Sequence, residues 1–126
     1  MTMATIELTK DNFKQTIDSN AIVIVDFWAS WCAPCRSFAP TFESASGEHA
    51  DIVFGKINTE EQQELAAAFN IRSIPTLMAF RDQIIVYADA GALPAAGLQQ
   101  LIEGVRGLDM DQVRAEIAAE RDGATQ

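Results

Sequence analysis

The sequence predicts an α/β fold: a central mixed β-sheet flanked by helices, in the order βαβαβα followed by ββα, with a further short helix at the end. Three observations carry this reading. The run 21–28 is continuously apolar except at Asp26, as a central strand covered on both faces requires. Segments with apolar residues at helical spacing alternate with the other short strand-like runs. The length of 126 residues, with 48% apolar content, suits one compact core that needs no disulfide or metal staples to fold.

Thr5 to Leu8 reads as a short strand, after which Thr9 opens a helix to about Ser19 with Phe13, Thr16 and Ile17 on one face. The strand 21–28 follows. After Cys32 a helix carries Cys35, Phe38, Ala39 and Phe42 at helical spacing; Pro34 sits harmlessly in its first turn, whereas Pro40 lies inside and should kink it. Asp51 to Ile57 is another apolar strand, and Thr59 with Gln62 forms a capping box for a helix reaching about Asn70. Thr76 to Phe80 and Gln83 to Ala88 read as a hairpin turning at Arg81-Asp82. Pro94 opens the last core helix, with Leu98, Leu101, Ile102 and Val105 on one face. Residues 1–107 form the domain, and 108–126 an acidic amphipathic extension with Met110, Val113 and Ile117 at helical spacing, fraying from Gly123. No repeat, low-complexity tract or linker interrupts the chain.

Nine basic against 18 acidic residues give a net charge of −9, which argues against nucleic acid or an anionic membrane surface as the main partner. The extension holds five of the acids and two of the arginines, a third of the net charge. The start shows no basic segment followed by a long apolar one, and no apolar stretch approaches the ~20 residues of a membrane-spanning helix. The expectation is a soluble cytoplasmic protein, without a secretory signal.

Trp31-Cys32-Ala33-Pro34-Cys35 lies at the junction of the central strand and a helix. Two cysteines and one histidine cannot complete a four-ligand Cys/His zinc or iron–sulfur site within one chain, so a metal reading of the pair works only across a dimer interface. Redox chemistry is the stronger reading, because strand–turn–helix context is what makes this motif informative. Cys32 falls at a helix N-terminus, where free N–H groups and the dipole stabilise a thiolate; Cys35, one turn in, can reach it and should be less exposed. Two inert core cysteines would leave the Pro34 between them and the helix start unexplained. The apolar neighbours of Asp26 predict burial and a raised pKa, making it a proton-exchange partner for Cys35, with His49 far outside the motif.

These residues resemble the thioredoxin family. The similarity covers residues 5 to about 107 and rests on five separated matches in order: Val25-Asp26-Phe27-Trp28-Ala29, Trp31 through Cys35, Ala39-Pro40, Ile71-Arg72-Ser73-Ile74-Pro75-Thr76, and Gly91-Ala92-Leu93. It implies the thioredoxin fold and a protein-disulfide reductase serving cell redox homeostasis. Cys32 would be the nucleophile, Cys35 the resolving thiol and Asp26 the proton acceptor and donor, with Lys56 a candidate modulating cation. It implies a cis Pro75 against the dithiol, with Ile74 backbone free to pair with an extended client segment. Trp31, Ala33, Pro34, Gly91 and Ala92 would complete the substrate-facing surface, while Trp28 packs. No bound cofactor is implied. The chain lacks GxGxxG, so electrons would come from NADPH through a separate flavoprotein, thioredoxin reductase. The partners are then that reductase and client proteins with reducible disulfides, and the chain is expected to be a monomer.

The sequence departs from the family pattern in places. Ala33 replaces the usual glycine of the motif, Arg36 the commoner lysine, Ser73 a frequent glycine, and Asp82-Gln83 a glycine-containing turn. None removes a catalytic group, and the consequence falls on redox potential and client preference. Two alternatives remain: a thiol oxidase or isomerase with a less reducing dithiol, and a thioredoxin-like binding subunit whose dithiol is idle.

Overall fold

The computed structural model describes residues 4–124. Strand β2 (Ile22–Trp28) is the middle of a five-stranded sheet ordered β1-β3-β2-β4-β5, with β1 at Ile6–Glu7, β3 at Val53–Asn58, β4 at Thr76–Arg81 and β5 at Ile84–Ala90. It pairs parallel with β3 and antiparallel with β4, so its backbone is satisfied on both edges and Ile22 through Phe27 are all buried. Its alternation then divides the core. Ile22 and Ile24 pack with Phe38 and Phe42 of α2 (Ala33–Glu48) and with Leu98, Ile102 and Val105 of α4 (Ala95–Arg106). Val23, Val25 and Phe27 pack on the other face with Ile17 of α1 (Phe13–Ser19) and with Leu65 and Phe69 at α3 (Gln63–Ala68). Asp26, in phase with Ile22 and Ile24, is therefore placed on the α2 side.

Gly55 of β3 has a packing reason. A Cβ there would collide with the Leu8 side chain, whose Cγ would lie 2.7 Å away, and fully buried Leu8 depends on that space. β1 is shorter than predicted, pairing with β3 only at Ile6 and Glu7.

Several predicted boundaries move because side chains compete with the backbone for hydrogen bonds. The helix expected from Thr9 begins at Phe13: the Asn12 Oδ1 accepts from Thr9 N at 2.7 Å and Asp11 N donates to Thr9 Oγ1, making a turn first. The capping box at Thr59 and Gln62 does not form. Thr59 Oγ1 donates to Trp28 O, Asn58 Oδ1 takes the N–H groups of Glu60 and Glu61, and α3 starts at Gln63. It ends at Ala68 with Phe69 as its C-cap, Asn70 left-handed at φ 55° and Ile71 N bonded back to Ala66 O, in the Schellman manner. β3 starts at Val53 rather than Asp51, since residues 50–52 turn and Ile52 N bonds to His49 O. Asp51 instead pairs with Arg106, whose guanidinium holds its carboxyl down at about 2.

The hairpin turns one residue later than predicted, at Asp82-Gln83, because Arg81 stays in the ladder opposite both Ile22 and Ile84. Both turn residues are left-handed, φ 51° and 71°, the two-residue primed turn that suits strand twist. Pro40 leaves α2 continuous while removing one amide donor, and Pro94 stands immediately before α4 as its cap. Helix α5 (Met110–Ala124) is continuous through the predicted point of fraying, and residues 125–126 lie outside the described residues. Asp109 Oδ1 caps it by accepting from Asp111 N and Gln112 N; Met110 is buried and Arg114 reaches Asp82 at 3.6 Å.

Candidate active site

The dithiol sits where β2 ends and α2 begins. Cys32 is the N-cap of α2 with an extended backbone, and its Sγ accepts the Cys35 N–H at 3.2 Å. Pro34 occupies the first turn, where its missing N–H costs nothing and its fixed φ favours the helix. The two sulfurs are joined as a disulfide across a Cα–Cα distance of 5.2 Å. Both cysteines are nearly covered, Cys32 4% and Cys35 2% exposed, so a partner must bring its own chain against the surface to reach the sulfur.

That surface is made of the other segments. The Ile74–Pro75 peptide is cis, and Ile74 O lies 3.7 Å from Cys32 Sγ. Gly91, at φ 108°, donates its N–H to Pro75 O at 2.8 Å, so the loop after β5 is tied to the loop before β4. A side chain at Gly91 would be strained by that φ, although the space is open. Ala33, Pro34, Gly91 and Ala92 are all exposed, Ile74 is half-buried and Pro75 is buried. Trp31 is 65% exposed, and its indole Nε1 donates to Glu60 Oε1 at 2.6 Å.

Asp26 lies on the α2 side of β2, two residues before that strand ends. It is wholly buried, and neither carboxyl oxygen has a hydrogen-bond partner among the described residues. Burial pushes its pKa from 3.8 up to about 7, against the opposing pull of the Lys56 charge. Asp26 and Lys56 are register partners across β2 and β3. Yet the Lys56 ammonium makes its ion pair with Glu43 Oε1, at 3.9 Å, and stands 4.8 Å over the Trp28 ring. Trp28 Nε1 is itself buried without a partner among the described residues.

The fold thus gathers Cys32, Cys35, Trp31, Ala33, Pro34, Ile74, Pro75, Gly91 and Ala92 at one end of the sheet, and places Asp26 and Lys56 side by side on the α2 face. Sequence reasoning missed Glu43 and Glu60. Glu43 lies eight residues beyond Cys35 on the same helix, a spacing that could have flagged it; Glu60, in a loop, carries no such signal. Among the described residues no cluster of three or more His, Cys, Asp or Glu could hold a metal, and no helix is long and apolar enough to cross a membrane. What the arrangement can do is exchange disulfides: an N-cap cysteine whose sulfur accepts a helix N–H, a partner sulfur bonded to it, and a buried carboxyl pushed up to about 7.

Comparison with known proteins agrees. The family model described as Thioredoxin matches residues 4–104. A putative thioredoxin 2 of Streptomyces coelicolor is 52% identical over 118 residues, spanning 94% of this chain and 88% of that relative, coverage too large to stop at the end of α4. A thioredoxin of Buchnera aphidicola is 39% identical, across 78% of this chain and 93% of its own. Among solved structures, a thioredoxin of Plasmodium falciparum superposes with a TM-score of 0.73 at 36% identity, covering 79% of this chain and 97% of that one. A mutant thioredoxin from Halobacterium salinarum gives 0.76 at 30% identity, covering 86% and 96%. The chain therefore belongs to the thioredoxin family, protein-disulfide reductases whose general function is redox homeostasis, and its Cys32–Cys35 pair is the disulfide of that chemistry.

Proposed function

We propose that the reduced chain attacks client disulfides through Cys32 and releases them through Cys35. The Cys32 thiolate, stabilised at the N-terminus of α2, attacks one sulfur of the client; the client disulfide breaks, its other sulfur leaves as a thiolate, and a mixed disulfide remains on Cys32. Asp26, as carboxylate, takes the Cys35 proton. The Cys35 thiolate then attacks Cys32 Sγ, forming the intramolecular disulfide and expelling the second client thiolate, so two client sulfurs are reduced as Cys32 and Cys35 are oxidised. The placement of Cys32 carries this reading: its Sγ receives the Cys35 N–H and faces the Ile74 carbonyl.

Trp31, Ala33, Pro34, Ile74, Pro75, Gly91 and Ala92 form the docking surface, on which the client runs extended past Ile74 and Gly91. Lys56 tunes Asp26. NADPH supplies the electrons through a separate flavoprotein reductase, and the protein works as a cytoplasmic monomer. The division at residue 107 separates this machinery from an accessory helix, α5.

Insulin-disulfide reduction coupled to NADPH and a thioredoxin reductase tests the proposal. Turnover that disappears in Cys32→Ser is the expected result. A wild-type chain that is not turned over would favour an idle-dithiol binding subunit, and a dithiol potential at or above that of the glutathione pool would favour an oxidase or isomerase.

A further inference from the structure

Three carboxylates flank Lys56: Asp26 and Glu7, its register partners on β2 and β1, and Glu43 of α2, which takes the ion pair. The ammonium stands over the face of Trp28. Both side chains of the pair are largely covered, Lys56 18% and Glu43 29% exposed, so solvent screens their attraction less than it would at the surface. The charged groups arrayed around Lys56 on this face are Glu43 on α2 and Glu7, its register partner on β1, with Glu61 lining the same hollow beside Trp28; the Cys32–Cys35 sulfurs lie at the start of α2, and β4 contributes apolar Leu77 opposite Asp26. One cation is thus shared: it already pulls the Asp26 pKa down, and its pairing with Glu43 limits how far that pull goes.

We propose that Glu43 is a positioning residue for the exchange reaction: by holding the Lys56 ammonium over Trp28 it weakens the pull of that charge on Asp26, and so keeps the buried carboxyl a strong enough base for the Cys35 proton. This rests on the reading of Asp26 as proton acceptor. Glu43 touches neither client nor sulfur in this role. It acts through Lys56, and the conservative Glu43→Asp should preserve part of the effect.

The test follows the Asp26 carboxyl by carbon-13 NMR titration of the full reduced chain, beside the pH profile of mixed-disulfide resolution by Cys35. In Glu43→Gln the Asp26 midpoint should fall by about half to one pH unit as Lys56 turns to it, and in Lys56→Met it should rise by a similar amount. In the Lys56→Met background, Glu43→Gln should produce less than half of its shift in the wild type. No shift in Glu43→Gln, or a shift of equal size in both backgrounds, overturns the proposal, because Glu43 would then act on Asp26 directly or not at all. A midpoint that moves through Lys56 while the resolution profile stays fixed upholds the positioning but overturns Asp26 as the base.

Discussion

At the Cys32 end of the sheet two buried polar groups, the Asp26 carboxyl and the Trp28 indole N–H, have no hydrogen-bond partner among the described residues. At the opposite end, where β4 finishes and α4 runs out, three arginines are engaged. Arg81 donates to the carbonyls of Val105 at 2.6 Å, Arg106 at 3.2 Å and Leu108 at 3.4 Å; Arg106 clasps Asp51 and meets His49 Nδ1; Arg114 joins Asp111 and Asp82. One end leaves a carboxyl and an indole N–H buried without partners, at a cost in stability. The other ties helix termini, turns and the start of α5 into a closed frame.

The largest effect should come from Asp26→Asn. The folded pKa of about 7 lies above the ordinary 3.8, so the native state binds more protons than the unfolded one between those values, and native stability falls as pH rises through that window. The wild-type chain should therefore lose about 4 kcal/mol between pH 4 and pH 8 that Asp26→Asn does not, measured by denaturant titration of the oxidised protein at both pH values. The same variant should resolve mixed disulfides about 100-fold more slowly at neutral pH. Equal pH dependence in the two proteins would mean that Asp26 is ionised in the fold without penalty.

At the far end, Arg81→Ala should cost about 2–3 kcal/mol, since it strips a charged donor from the last carbonyls of α4, while the rate of disulfide reduction stays within about twofold. A fall in rate would deny that the two ends are separable. Gly55→Ala lies between them and should cost about 1–3 kcal/mol by overpacking against Leu8, read as a lower denaturant midpoint. Arg114→Ala removes exposed pairs and should leave the denaturant midpoint essentially where it is in the wild type.

The contrast also marks what the sequence could convey. The run 21–28 announces the central strand because both of its faces and both of its edges are covered, and the Cys32/Cys35 spacing announces a helix start because the N-cap needs an acceptor there. Asp26 stands out against its apolar neighbours. The rest depends on contacts between distant segments. Asn58 rather than Thr59 caps the turn before α3, because Thr59 is occupied by Trp28 O, a partner 31 residues away. The hairpin tip moves to Asp82-Gln83 because Arg81 is needed in the ladder. The Lys56–Glu43 pair requires β3 and α2 to be brought together by the sheet, as does the fit of Leu8 over Gly55.

The most direct test of the exchange chemistry is covalent trapping with Cys35→Ser. Without a resolving thiol, attack by Cys32 should stop at the mixed disulfide, and peptide mass spectrometry of the reduced variant mixed with disulfide-bearing protein should find client peptides linked to Cys32. Absence of adducts, or equal trapping through Cys35 in Cys32→Ser, would contradict the assignment of Cys32 as nucleophile.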